Sequence, residues 1–260
     1  MEAIASILAG LLGIVSTPGV VIDQVATDLL RQRLVKAEIL EVRIDNTPNY
    51  QILFGRVDKI RLAARGIFLV PYFRIAVAEL ETDPISIDAN ALQQGQLVLN
   101  RPLQAATRVQ VTAEDINQAL RSPELRPNFE NIRIDLSGRQ GAGELFDFTE
   151  PMVRFRAGNR IQITARMRPQ AKPQDAIDLE INAGVRVLRG SQLELIEPQI
   201  NLQGEKVPDQ ITTALVKGIN RLLDLQQLEQ SGIRARVLRL EVTDSHLQVI
   251  GFAQVTQVPR

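Results

Sequence analysis

The feature that most constrains the fold is the alternation of apolar with polar or charged residues in several stretches. Residues 59–65 read Lys-Ile-Arg-Leu-Ala-Ala-Arg, residues 161–168 read Ile-Gln-Ile-Thr-Ala-Arg-Met-Arg, and residues 238–243 read Leu-Arg-Leu-Glu-Val-Thr. Successive side chains of a strand point to opposite faces, so such stretches bury one face and expose the other. One-sided strands are typical of antiparallel sheet, because parallel strands are usually buried on both faces. The sequence therefore predicts a chain dominated by antiparallel sheet.

Two helices are predicted at the amino terminus. Residues 3–15 are almost wholly apolar, with large side chains on one helical face and small residues on the other. A break at Thr17-Pro18 precedes a second amphipathic helix over residues 20–34. The first segment is too short to span a bilayer, and no Lys or Arg precedes it as a secretory signal requires. It is predicted either to plug the end of the protein's own core or to dip into a membrane surface.

The rest of the chain is predicted to combine strands with two further helices. One follows Thr112, which lies three residues before an acidic residue in the order of a capping box, and the other begins at Pro208. The sequence therefore predicts an α+β fold in a single elongated domain over residues 1–260, with a helical pair over 1–34 and a helix-and-meander body over 37–260. Strands are predicted, among others, at residues 40–44, 50–54, 57–64, 75–80, 97–99, 179–187, 237–242 and 247–255.

One hairpin is predicted in detail. Val153 and Phe155 should pair with Ile161 and Ile163 around a turn at residues 157–159, which read Ala-Gly-Asn.

Composition argues against several function classes. The chain has no cysteine and one histidine, and its 30 basic residues balance its 30 acidic residues. Without net charge, no global field would draw it to nucleic acid. Aromatic residues make up 4% of the chain and tryptophan is absent, so stacking platforms for single-stranded bases are not expected either. We predict no nucleic-acid partner and no cofactor.

Catalytic motifs are not convincing. His246 follows Asp244 and Ser245, but neighbouring strand residues point to opposite faces, whereas a working triad is assembled from distant segments around an oxyanion hole. Three glycines within residues 138–143 are spaced like part of a phosphate loop, yet no Lys-Ser/Thr follows them. Acidic pairs are interpreted as the wet faces of strands, without the spacing of a calcium loop. The sequence therefore predicts a protein that is not an enzyme, with no catalytic residue and no metal site.

Basic residues cluster on neighbouring predicted strands around the hairpin at residues 157–159. Such a face fits anionic lipid headgroups, which attract a nearby basic residue by about 1 kcal/mol. It equally fits a solvated face that keeps sheet edges from aggregating, and both interpretations stay open. The cluster consists of Arg154, Arg156, Arg160, Arg166 and Arg168.

Five segments carry a resemblance to a known family. They are residues 11–34 (LLGIVSTPGVVIDQVATDLLRQRL), 42–67 (VRIDNTPNYQILFGRVDKIRLAARGI), 79–88 (ELETDPISID), 111–120 (VTAEDINQAL) and 237–253 (VLRLEVTDSHLQVIGFA). In pattern and order they resemble the LmeA-like phospholipid-binding family, in particular its cyanobacterial-type members. The resemblance implies a relative of the tubular lipid-binding (TULIP, BPI-like) folds. In those folds a long curved antiparallel sheet wraps around a few amphipathic helices and encloses an apolar groove for acyl chains.

The resemblance and the surplus of one-sided strand lead to one functional hypothesis. The chain is predicted to be a non-enzymatic phospholipid-binding or lipid-carrier protein that holds acyl chains in an apolar groove at a membrane surface. Groove-lining residues are predicted to be Leu40, Val42, Ile44, Ile60, Leu62, Ile161, Ile163, Leu238 and Leu240. Membrane contacts are predicted to be Ile4, Ile7, Leu8, Leu11, Leu12, Arg154 and Arg156.

The alternative is a membrane-peripheral scaffold protein with no bound lipid, whose sheet faces are buried within an oligomer. Both hypotheses use the same apolar positions. In the lipid-binding hypothesis the partners are phospholipid and the membrane surface. The predicted localisation is peripheral to a membrane, on the cytoplasmic side in preference to the periplasmic side.

Overall fold

The computed structural model describes residues 27, 28, 30–32, 34–88, 90, 91, 98–134, 143–207, 212, 216 and 233–256. Over these residues the chain is mostly antiparallel sheet, which confirms the prediction from the alternation. Two compact units are present. The first comprises Met1–Val111, Leu225–Arg239 and Gln248–Arg260, and the second comprises Thr112–Asp224 and Leu240–Leu247. The single-domain organisation stays a prediction.

The strands are β1 (Lys36–Asp45), β2 (Arg56–Val57), β3 (Lys59–Val70), β4 (Phe73–Thr82), β5 (Ile85–Ser86), β6 (Leu103–Thr112), β7 (Ile132–Ile134), β8 (Glu144–Arg156), β9 (Arg160–Pro169), β10 (Ile177–Leu188), β11 (Gln192–Leu202), β12 (Glu205–Lys206), β13 (Ile233–Val242) and β14 (His246–Val255). One six-stranded sheet has the order β1-β3-β4-β6-β14-β13. A second has the order β12-β11-β10-β9-β8-β7, and β2 pairs with β5. The second sheet is a simple meander, because every neighbour in space is also a neighbour in sequence.

Helical structure is short in the described residues. Helix α1 (Ala113–Leu120) opens with the predicted capping box, since the Thr112 side chain accepts from the N–H of Asp115 and the Asp115 side chain accepts from the N–H of Thr112. Two 3-10 helices span Asn49–Phe54 and Arg126–Phe129. Residues 27, 28 and 30–32 are helical, as predicted for the helix over 20–34, and Leu30 is buried.

The buried residues of the first unit include one face of β1 and β3. Leu40 and Val42 are 4% and 5% exposed, and Ile60 and Leu62 are 0% and 8% exposed. The intervening Glu41 faces solvent. The sequence forms one-sided strands here because apolar residues recur at every second position.

The core of the second unit lies on β10 and β11. Alternate residues of β10 are buried and pack with residues from β11, so this cluster also follows a period of two. Its buried members are Leu179, Ile181, Ala183, Val185, Leu195, Ile200 and Val207.

The predicted hairpin is confirmed in its register. Val153 lies opposite Ile163, and Phe155 lies opposite Ile161, on the antiparallel strands β8 and β9. The turn residue Asn159 has a φ of 58°, in the left-handed region that asparagine tolerates better than most residues.

The strand prediction for residues 50–54 is wrong. Asn49–Phe54 is a 3-10 helix, and the N–H of Gln51 donates to the carbonyl of Pro48 at 3.1 Å. Residues 50–54 read Tyr-Gln-Ile-Leu-Phe, an apolar run without strict alternation, which does not separate a short helix from a strand.

The strand prediction for residues 97–99 is also wrong, and the strand that follows them was missed. Within the described residues of 97–99, only Leu99 pairs, in an isolated bridge with Ile87. The next strand, β6, was not predicted, although Leu103, Ala105 and Val111 are buried on it. Its alternation relies partly on Ala and Thr, whose contrast in hydrophobicity is weak.

Candidate functional site

The sheet of the first unit carries rows of apolar residues across four strands. Residues that lie opposite one another on adjacent strands share a face, so each row runs across the sheet. From β1 through β3 and β4 to β6, one row is Leu40, Ala64, Ala78 and Val109, and the next is Val42, Leu62, Leu80 and Thr107. The face is apolar over its middle and ends in a hydroxyl group on β6.

The opposite face of the same strands carries a network of ion pairs. Arg61 Nη1 lies 2.8 Å from Asp45 Oδ2, and Arg61 Nε donates to Glu81 Oε2 at 3.1 Å. Lys59 Nζ donates to the second oxygen of Glu81 at 2.6 Å. These hydrogen bonds, first from Lys59 and then from Arg61, lower the pKa of Glu81. The pairs are solvent-exposed, so each adds little to stability but fixes the side-chain positions.

A second ion pair joins β4 to β6. Arg108 Nε donates to Glu79 Oε2 at 2.8 Å, and Arg108 Nη2 donates to the other carboxylate oxygen. These hydrogen bonds lower the pKa of the Glu79 carboxyl and outweigh the opposing effect of partial burial. The positive charges of Arg108 and Arg65 lower it further. The two-point geometry fixes both the position and the orientation of the guanidinium group.

A cavity of about 1100 Å³ adjoins these strands. Its volume is slightly above the roughly 300–1,000 Å³ typical of small-molecule sites. The lining takes residues from both faces of these strands, the apolar rows and the ion pairs. It consists of Thr27, Asp28, Arg31, Leu40, Glu41, Val42, Arg43, Arg61, Leu62, Ala63, Glu79, Leu80, Glu81, Ala106, Thr107, Arg108 and Ile250.

The groove residues predicted on the first unit have different environments. Leu40, Val42 and Leu62 line the cavity. Ile60 is fully buried in the core and Ile44 is half-buried, and neither lines it. Leu238 is 71% exposed on β13 and does not line this cavity either, so the cavity gives it no part in the groove. Leu80, Thr107 and Ile250 are lining residues that the sequence argument missed, and the register between strands relates the first two to Leu62.

The remaining predicted groove residues belong to the second unit. Ile161, Ile163 and Leu240 are partly buried and pack against the β10–β11 core cluster. The predicted set is thus divided between the two units.

A smaller cavity of about 520 Å³ lies within the second unit. Its lining includes the apolar residues Leu120, Phe129 and Phe148 and the basic residues Arg126 and Arg168, for which the described residues provide no ion pair. Acidic residues also line it, so its charge is mixed: Glu130, Asp147 and Glu150.

Comparison with protein families identifies the chain. A family model described as LmeA-like phospholipid-binding matches residues 18–252. The chain belongs to the LmeA-like phospholipid-binding family. The match covers nearly the whole chain and confirms the resemblance carried by the five sequence segments. No curated protein and no solved structure is significantly similar to the chain.

The membrane contacts predicted for this LmeA-like protein are only partly within the described residues. Arg154 and Arg156 are exposed on β8, and Arg156 Nη2 donates to Gln162 Oε1 at 3.2 Å. The predicted apolar contacts lie outside the described residues: Ile4, Ile7, Leu8, Leu11 and Leu12. Among the described helices, none is long and apolar enough to span a membrane.

Other members of the basic cluster are neutralised locally. Arg160 lies 3.6 Å from a carboxylate oxygen of Glu197, and Arg166 lies 3.3 Å from one of Asp178. The five arginines therefore do not form a uniformly positive face.

His246 is the first residue of β14 and does not form a triad with Asp244 and Ser245. Its Nδ1 lies 2.9 Å from Ser245 Oγ and 3.2 Å from Thr243 Oγ1. Asp244 Oδ1 accepts the N–H of Ala157 at 2.9 Å, so this carboxylate is used to hold the β8–β9 turn. Across the described residues, His, Asp and Glu side chains do not gather in threes where they could hold a metal ion.

Proposed function

We propose that this LmeA-like protein is a non-enzymatic phospholipid carrier that holds acyl chains against the apolar sheet face of the first unit. The observation that carries the proposal is the large cavity lined by Leu40, Val42 and Leu62 in a chain of a phospholipid-binding family. The tubular lipid-binding architecture expected from the sequence is part of this proposal, as is a peripheral position on a membrane, with the cytoplasmic side favoured.

The chemistry of the cavity supports an amphiphilic ligand. Acyl chains offer no hydrogen bonds, so they favour contact with apolar side chains, and Leu40, Val42 and Leu62 are apolar lining residues on β1 and β3. A phosphate group requires cationic donors. Arg31 lines the same cavity, is exposed, and has no ion pair among the described residues. We assign Arg31 as a hydrogen-bond donor to the lipid phosphate in this carrier.

A scaffold function remains the second candidate because of the sheet edges. β1 and β13 are the edge strands of the first sheet. Val35, immediately before β1, is 57% exposed, Ile39 on β1 is 48% exposed, and Leu238 on β13 is 71% exposed. Apolar side chains on open edges favour association between chains.

Native mass spectrometry with lipid extraction separates the two candidates. The protein is purified from a membrane-containing host and then offered liposomes of anionic or neutral phospholipid. Phospholipid bound at near-integer stoichiometry supports the carrier. An apo mass that regains no lipid from either liposome, together with an oligomer that dissociates when Ile39 and Leu238 are changed to Ser, supports the scaffold.

A further inference from the structure

The 3-10 helix Asn49–Phe54 holds two aromatic side chains in solvent. Tyr50 is 62% exposed and Phe54 is 64% exposed. Single apolar residues on a surface need no explanation, but here two large aromatic side chains are exposed within one six-residue helix. This short segment therefore exposes two aromatic side chains.

The segment is fixed at its amino-terminal end by a buried amide. Asn46 is 8% exposed, its Nδ2 donates to the carbonyl of Arg56 at 3.2 Å, and its Oδ1 accepts the N–H of Asp58 at 3.1 Å. The N–H of Thr47 donates to Asp58 Oδ2 at 2.8 Å. These bonds join the two ends of the loop that carries the helix.

The segment is also fixed at its carboxyl-terminal end. The carbonyl of Gly55 accepts the N–H of Ile87 at 2.8 Å. Gly55 has a φ of +71°, and a Cβ there would lie 2.5 Å from the carbonyl oxygen of Ile87, so only glycine permits this approach. The aromatic rings are thus presented on a constrained backbone, and a contact made by them costs little additional ordering entropy.

Basic side chains lie beside the helix. Arg56 is exposed and has no ion pair among the described residues, and Arg101 is exposed with Nη2 donating to the carbonyl of Pro84 at 2.7 Å. Both line the same small cavity as Gln51, which directly follows Tyr50 in the 3-10 helix. One nearby acid, Asp58, lines that cavity too, but its Oδ2 is bound by the N–H of Thr47.

We propose that Tyr50 and Phe54, flanked by Arg56 and Arg101, form the surface through which the first unit contacts a phospholipid bilayer. Aromatic rings favour the headgroup level of a membrane, and guanidinium groups there meet lipid phosphates. The proposal rests on the proposed function, since a phospholipid carrier must reach a bilayer. A protein partner fits less well, because two rings at this exposure supply an apolar area far below the about 800 Å² per side of a stable interface.

The absence of tryptophan from the chain allows a direct test. In the otherwise unchanged full chain, Tyr50→Trp introduces a single fluorescent reporter, and Leu238→Trp is a matched control at a position of similar exposure on β13. Vesicles of phosphatidylcholine are used with and without a minor fraction of phosphatidylglycerol. We expect the emission of Tyr50→Trp to shift to the blue and to be quenched by brominated lipid, and that of Leu238→Trp to stay unchanged. We also expect Tyr50→Ser with Phe54→Ser to weaken vesicle binding about tenfold or more.

The outcomes separate the possible occupants. Vesicle binding without a change in Tyr50→Trp emission would overturn the proposal and assign the contact to another surface. A blue-shifted emission that depends on protein concentration before vesicles are added would overturn it in favour of a second copy of the chain. Lipid retention by native mass spectrometry is measured in parallel: its absence in the wild type contradicts the carrier function, whereas the emission shift reports on the bilayer contact alone.

Discussion

The side chain of Asn117 bonds to both backbone groups of Val153. Asn117 Oδ1 accepts the N–H of Val153 at 2.7 Å, and Nδ2 donates to the carbonyl of Val153 at 2.9 Å. Asn117 is 6% exposed on α1, so the amide replaces a neighbouring strand on this side of β8. Helix α1 is thereby bound to β8 by a polar contact.

Replacing this amide should destabilise the second unit. Asn117→Leu has a similar shape but leaves the N–H and the carbonyl of Val153 without partners, so we expect a loss of about 2 kcal/mol in the free energy of unfolding. Urea denaturation followed by circular dichroism measures it. The exposed neighbour Gln118 provides the control, and Gln118→Leu should change stability by less than about 0.5 kcal/mol. Equal stability of the two variants would contradict the assigned role.

The capping box of α1 makes a separate prediction. Thr112 Oγ1 accepts the N–H of Asp115 at 3.1 Å and donates to Asp115 Oδ2 at 2.7 Å. Thr112→Ala removes both bonds and should cost about 1 kcal/mol. Thr112→Ser retains the hydroxyl and should restore most of the loss in the same urea titration. If Thr112→Ser does not restore stability, the threonine methyl group rather than the cap accounts for the loss.

Local signals were readable from the sequence, whereas contacts between distant segments were not. The capping box at Thr112 and the pairing of Val153 with Ile163 depend on spacing within a few residues, and both are confirmed. The contact between Asn117 and Val153 spans 36 positions and is carried by a polar residue, which no period in hydrophobicity identifies. For the same reason the position of Leu80 beside Leu62 emerges only from the register of the strands.

The 3-10 helix Asn49–Phe54 shows a second reason why prediction from the sequence fails. Tyr50 and Phe54 are residues that favour strands, so propensity and apolar content both indicated the wrong element. The hydrogen bonds of Asn46 and the close approach of Gly55 to Ile87 fix the two ends of the helix, and neither is visible as a pattern in the sequence.

The Glu79–Arg108 pair should make the stability of the first unit depend on pH. The pKa of Glu79 is lowered from its ordinary value of 4.5, mainly by the hydrogen bonds from Arg108. Because the folded-state pKa is the lower one, the pair stabilises the fold above the unfolded value, and this contribution is lost as pH falls through the folded pKa. Arg108→Gln should raise the pKa of Glu79 towards its ordinary value in a carboxyl NMR titration. Arg154→Gln, which removes an exposed arginine outside the pair, should leave the Glu79 titration where it is in the wild type.

A substitution on the half-buried face of β9 tests whether this face contacts lipid or belongs to an ordinary core. Ile163 packs against the β10–β11 cluster without being fully buried. Ile163→Asp places a carboxylate on this face, which an acyl chain tolerates poorly and which costs about 1–3 kcal/mol if no partner is available. If the face contacts lipid, we expect the variant to remain folded by circular dichroism and to lose phospholipid in native mass spectra. Leu238→Asp, at the 71% exposed position, should retain both fold and lipid. Unfolding of Ile163→Asp would instead assign Ile163 to the plain core of the second unit, and lipid would then be bound only by the first.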